Sequence, residues 1–186
     1  MNPRILTLAL CALALSPAAA LAQQPASPPM ADKRAEIKHA AAPGSPEWQQ
    51  LRSLVGQWQG SVQEGGKAEG ASLEVRMTGG GSAIMHIIGK DTPYEMATMF
   101  HPDGPALMAT HYCAAHNQPR MEMVPAPAPN QIAFRFKDGT NIGPGDGHMV
   151  GLVITFIDAN HHDEAWAYED QGKELPATVF HYSRKP

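Results

Sequence analysis

The sequence predicts an all-β protein: an antiparallel up-and-down barrel of about ten strands, with a short N-terminal helix plugging one end. Three observations predict it. From Gly56 onward, short runs of alternating apolar and polar residues are separated by Gly, Pro, Asn and Asp. These runs follow one another with short connections and no helical period between them, as in an antiparallel meander. A helix start stands immediately before the first run. Closing the meander removes unpaired strand edges that would otherwise template aggregation. A sandwich is the alternative, and a helix able to plug an open end favours the barrel.

The chain begins with one positive charge in Met1-Asn2-Pro3-Arg4, an apolar run from Ile5 to Leu15, and small residues ending in Ala20-Leu21-Ala22. This is the pattern of a cleavable signal peptide over residues 1–22, with Gln23 as the new N-terminus. The apolar run falls short of the ~20 residues a membrane span needs, so no membrane span is expected. A lipid anchor on Cys11 is disfavoured, because Leu10 stands where a small residue is wanted. Residues 23–45 form a flexible leader, rich in Pro and Ala and broken by Pro25, Pro28, Pro29 and Pro43.

Ser45 then reads as an N-cap and Pro46 as the first helical position. Trp48, Leu51, Leu54 and Val55 make the apolar side, and Gly56 stops the helix. Strands are expected near 57–64, 71–78, 82–89, 94–101, 106–114, 120–125, 131–137, 148–158, 162–169 and 177–184. His101-Pro102-Asp103-Gly104 and Gly79-Gly80-Gly81-Ser82 are turns, while Gly143-Pro144-Gly145-Asp146-Gly147 is a loop suited to a mouth or lid. Residues 46–186 thus make one domain.

With the signal peptide removed, thirteen Lys and Arg oppose eighteen Asp and Glu, a net charge of −5. No basic cluster appears, so nucleic acid is not an expected partner. Only Cys113 survives processing, which excludes an internal disulfide although export to the periplasm or medium would permit one.

The start of the first strand, Gly56-Gln57-Trp58-Gln59-Gly60 after a short helix, resembles calycin-type barrels: lipocalins, fatty-acid-binding proteins and the nitrobindin-like haem proteins. Pro43-Gly44, the Leu51-x-x-Leu54-Val55-Gly56 lead-in and the segment Thr110–Met121 also look like a group of uncharacterised secreted bacterial proteins with lipocalin-like barrels. The resemblance spans residues 43–186 and implies a fold; it carries no catalytic role. Trp58 itself reads as a packing residue at the barrel floor.

Candidate chemistry centres on residues 111–120. His111 and Cys113, two apart on an expected strand, share a face; Asn117 lies in the following turn, and Arg120 begins the next strand. Facing inward, His111, Cys113, Asn117 and Arg120, with the strand histidines His86 and His148, would fix the polar head of a small amphipathic ligand. The competing reading is structural: cysteine as a small buried filler, Asn-Gln-Pro as turn material, Arg120 paired with a carboxylate.

Metal binding through His111, Cys113 and His116 lacks a fourth ligand, and no metal is assigned. Haem needs one inner-wall histidine; His86, His111, His148 and His181 lie on expected strands, and no feature selects one. Eight strand methionines (Met77, Met85, Met96, Met99, Met108, Met121, Met123 and Met149) read as core or cavity lining; no Met-x-x-Met cluster with histidines nearby suggests copper. Hydrolase, metalloprotease, P-loop and dinucleotide motifs are absent. The expected function is therefore an exported barrel binding a small apolar or amphipathic molecule. A haem or metal barrel, and a small hydrolase or isomerase using His111 as base and Cys113 as nucleophile, are the alternatives.

If residues 1–22 direct export, the intact mass of the protein recovered from periplasm or medium should match a chain beginning at Gln23. A mass retaining the apolar run, or a lipid-bearing Cys11 in the membrane fraction, would overturn that reading.

Overall fold

The computed structural model describes residues 45–64 and 67–186; the expected signal peptide and all of the leader except Ser45 lie outside them. Helix α1 spans Pro46–Ser53. Its first turn forms as expected: the Ser45 hydroxyl accepts from the Trp48 N–H at 3.2 Å, and Pro46 has no N–H to leave orphaned. Trp48, Leu51 and Leu54 are buried, but Val55 is 39% exposed and does not belong to the apolar side. The chain leaves the helix at Leu54, so Val55 escapes the helical period.

Eleven strands follow. They are β1 (Gly56–Glu64), β2 (Lys67–Thr78), β3 (Ala83–Ile88), β4 (Met96–Asp103), β5 (Ala106–Tyr112) and β6 (Gln118–Val124). Then come β7 (Gln131–Thr140), β8 (His148–Phe156), β9 (His161–Asp170), β10 (Lys173–Glu174) and β11 (Thr178–Arg184). Every pairing is antiparallel; β1 to β9 pair in succession, and β11 joins β9 to β1. This closes a ten-stranded barrel, with β10 as one extra strand on the edge of β9. The return of the chain along β9 is broken between β10 and β11, where Pro176 has no N–H to give the ladder.

Closure follows from period two. Trp58, Leu73, Val75, Ile84, Phe100, Leu107, Phe134, Leu152, Ile154 and Trp166 point inward from eight different strands and are nearly inaccessible. Chain direction places the starts of β1, β3, β5, β7 and β9 at one end, together with α1. Arg184, at the end of β11, donates to the carbonyls of Ser53 and Val55. At the other extremity of the helix, Glu47 shares a groove with Val124, Pro125 and Ala126. The helix therefore crosses the barrel end from the β1–β11 side to the β6–β7 side, driving Trp48 and Leu51 into the core.

Trp58 forms the floor beneath it. Its indole N–H donates to the Leu54 carbonyl at 2.8 Å, and the Arg184 guanidinium lies 4.1 Å above its ring. Gly60 sits opposite Tyr182, where a Cβ would come 2.0 Å from the His181 carbonyl oxygen. The ten expected strands correspond to β1–β9 and β11. Two departures bear on the site: β5 ends at Tyr112, so Cys113 lies beyond the ladder, and register shifts interrupt β6 at Arg120/Met121 and β8 at Met149/Gly151.

Replacing Gly60 by Ala should lower unfolding stability in urea by about 1–3 kcal/mol, because the new methyl meets backbone that cannot rotate away. Gly70→Ala, whose Cβ meets nothing within 4 Å, should change it by less than about 0.5 kcal/mol. Equal effects would show that Gly60 is not a close-approach position.

A buried histidine–carboxylate layer as the candidate functional site

A polar layer crosses the barrel interior. On β9, period two turns His162, Glu164 and Trp166 inward together. The Glu164 side chain is fully buried, and its Oε1 lies 2.8 Å from His86 Nε2 on β3 and 3.2 Å from His162 Nε2. Its Oε2 accepts from the Trp166 indole N–H at 3.0 Å. A carboxylate can only accept, so both histidines donate through Nε2. Burial opposes the charged form of Glu164, yet the His86 charge and the hydrogen bonds from His162 and His86 outweigh it and hold the carboxyl below its usual range. A link from β9 to β3 spans the barrel, since these strands are not neighbours in the sheet.

His111 forms a second element of the layer. Its Nδ1 is 2.8 Å from the Thr98 hydroxyl, and its ring lies 5.0 Å from that of Trp166. Burial, assisted by the His86 charge, pulls its pKa down to about 4, so it is neutral at physiological pH. Four polar atoms here have no hydrogen-bond partner: His86 Nδ1, His162 Nδ1, His111 Nε2 and the Tyr182 hydroxyl. Burial and the Glu164 charge push the Tyr182 pKa up, which keeps the phenol protonated. Side chains this inaccessible touch no water-sized space, so the layer is packed closed in this arrangement.

The six candidate residues from the sequence separate into three places. His86 and His111 lie inside, in the layer just described. Asn117 and His148 lie at the end away from α1. The Asn117 amide donates to the Gly147 carbonyl at 2.9 Å, and His148 Nδ1–H donates to the Asp146 carbonyl at 2.9 Å, with its ring 4.6 Å from Phe136. The loop 143–147 thus joins that rim, as a mouth loop would. Cys113 is half-buried in the adjoining turn, its N–H bonded to the Asn117 carbonyl.

Arg120 is outside: its side chain is 53% exposed and forked onto Asp138. The expected convergence of His111, Cys113 and Arg120 therefore does not form, because inward Met121 fixes Arg120 outward by period two. Nor do His111 and Cys113 make a base–nucleophile pair, since Nδ1 is engaged by Thr98 and Nε2 has no partner. His181 also faces out, paired with Asp163 at 2.8 Å in a groove with His161 and Ser61. Among the described residues, no three His, Cys, Asp or Glu side chains are disposed to hold a metal ion.

Sequence reasoning missed Glu164, His162, Thr98 and Tyr182. One signal was present: His162, Glu164, Trp166 and Tyr168 alternate in a single run, putting a histidine and a carboxylate on the face of a tryptophan.

Fold and site together define a closed ten-stranded antiparallel barrel with a polar layer at its centre. No protein-family model matches the chain, and no curated protein matches it. Among solved structures it is similar to Rv2717c from M. tuberculosis: 12% identical, TM-score 0.53, covering 76% of this chain and 99% of that one. It is also similar to a protein of unknown function from the DUF3598 family of Nostoc punctiforme PCC 73102, at 9% identity and TM-score 0.49. That match covers 73% of this chain and 48% of the other. At such identities the Rv2717c match shows shared fold alone.

The pH dependence of stability follows from His111. Unfolded, its imidazole takes up a proton near 6.5; folded, only near 4. Below pH 6.5 the unfolded state binds more protons, so stability should fall by about 3 kcal/mol between pH 6.5 and 4. Glu164, with its depressed folded pKa, adds a further loss at lower pH in the same direction. Urea titrations across this range check it: His111→Leu should flatten the slope above pH 4, and an unchanged slope would contradict the assignment.

Proposed function

We propose that this chain is an exported calycin-type barrel that binds a small amphipathic molecule, entered from the end away from α1. The observation that carries the reading is His111 Nε2, a buried neutral hydrogen-bonding atom without a partner, beneath inward apolar side chains. Buried polar groups are nearly always satisfied, and a ligand is one way to satisfy such an atom. Toward that end the inward residues are Val62, Ile88, Met96 and Phe180, the last two only half-buried. A flexible methionine can swing aside to admit an apolar tail.

The layer favours a neutral head group. A hydroxyl can pair with His111 Nε2 in either tautomer, and a carbonyl when Nε2 carries the proton, whereas a carboxylate would meet the buried charge of Glu164. Asn117 and His148 stand at the rim, where they would meet the ligand before His111. Periplasmic or secreted placement follows from the signal peptide read in the sequence.

A haem reading would use the same nitrogen, since Thr98 holds the other as a ligating imidazole requires. The residues present do not fit it in this arrangement. A macrocycle on Nε2 would have to displace Trp166, whose indole is tied to Glu164.

Titration with decanol, followed by tryptophan fluorescence and native mass spectrometry, tests the reading. One molecule should bind per chain, more tightly than decanoate, and His111→Leu should weaken it roughly three- to tenfold, the worth of one neutral hydrogen bond. Arg120→Ala should leave it unchanged. A chain that takes up neither compound, and carries no small molecule when purified from its own host, would overturn the proposal, as a Soret shift on adding haem would overturn the preference against haem.

A further inference from the structure

The outer face of β3–β5 carries three thioethers and an imidazole that the binding reading does not use. Met85 lies between inward Ile84 and His86, Met99 between Thr98 and Phe100, and Met108 between Leu107 and Ala109; all three therefore project outward. The same alternation turns His101 outward, next to Phe100. Met85 is directly opposite Met99, and His101 is directly opposite Met108. Directly opposed residues have Cβ atoms about 4.5–5.5 Å apart, and diagonal neighbours about 7–8 Å. Met99 and His101, two apart on β4, complete a compact patch drawn from three adjacent strands.

Two hydrogen bonds bear on the donor atoms. The Met85 sulfur already accepts from a cation, with Arg76 Nη2 at 3.0 Å. His101 Nδ1–H donates to the Pro102 carbonyl at 3.0 Å, which leaves Nε2 as the free lone pair. That division of the ring nitrogens is the one a metal-ligating histidine adopts.

We propose that Met85, Met99 and His101, with Met108 in reach, form a surface site for a soft monovalent cation, Cu(I) or Ag(I). Thioether sulfur and imidazole suit Cu(I), while hard cations need oxygen ligands. Carboxylates stand at its margin: Glu122, opposite Met108 and engaged by Lys137 at 3.0 Å, and Asp103, two residues beyond His101 on β4. The ligands themselves are neutral, which fits a single positive charge better than a double one. Methionine has three rotatable bonds, so the two sulfurs can close on one ion without moving the strands. Arg76 then gives up the Met85 sulfur and retains Glu74, 3.7 Å away. Binding is a ligand exchange, with no change in the metal's oxidation state.

The site is independent of the barrel interior, so its failure would leave the amphipathic-ligand reading untouched. In anaerobic buffer with ascorbate, the exported chain should withdraw one equivalent of Cu(I) from its coloured bicinchoninate complex. Met99→Leu and, separately, His101→Ala should each weaken that withdrawal at least about tenfold, a loss of about 1.4 kcal/mol. Met123→Leu and Cys113→Ser should not. No withdrawal by the parent chain, withdrawal unaffected by both site variants, or withdrawal lost with Cys113→Ser would each overturn the site.

Discussion

Glu164 brings a carboxylate to the middle of a barrel, and much of the interior is arranged around it. An ionised carboxyl in a dry core is expensive unless it is paired and hydrogen-bonded. Here His86, His162 and the Trp166 indole supply three donors, one of them from a strand on the far side of the sheet. Breaking such a pair from one side leaves an uncompensated charge, at about 3–5 kcal/mol. The contact therefore ties β9 to β3 through the core, beyond what the backbone ladder does, and fixes Trp166 where it shields His111.

The same layer sets which polar atoms of the interior are satisfied and which are not. The polar layer has a defined satisfied set of bonds and a defined unsatisfied set, so any occupant has to suit both. Above it the half-buried Met96 and Phe180 offer adjustable apolar contact, while α1 and Trp58 close the opposite end. The helix and Trp58 thus close one end of the barrel, and in the proposed reading a ligand enters from the other.

The outer surface follows a different rule. On β6 and β7 it carries ion pairs such as Arg120–Asp138 and Lys137–Glu122, the ordinary solvated face of an antiparallel sheet. On β3–β5 it carries thioethers instead, and Met108 is only 5% exposed although it points away from the core. The Rv2717c match, at 12% identity, speaks to the barrel and not to either face.

Alternation, turn residues and the Ser45-Pro46 cap by themselves determined the all-β class, ten of the eleven strands and the helix before them. These are local properties: period two and turn dihedrals act between residues close in the chain. They also put His86, His111, His148 and His181 on strands, without distinguishing the two that end inside. They placed Arg120 wrongly beside His111, because a face shared along one strand says nothing about which way the next strand's first residues turn after a bend. Only the tertiary structure decided that Glu164 meets His86, residues 78 positions apart. It likewise decided that Met85, Met99 and Met108 leave the core for one outer patch. Which residues face each other across a closed barrel depends on its register and shear, and neither is a property of any single strand.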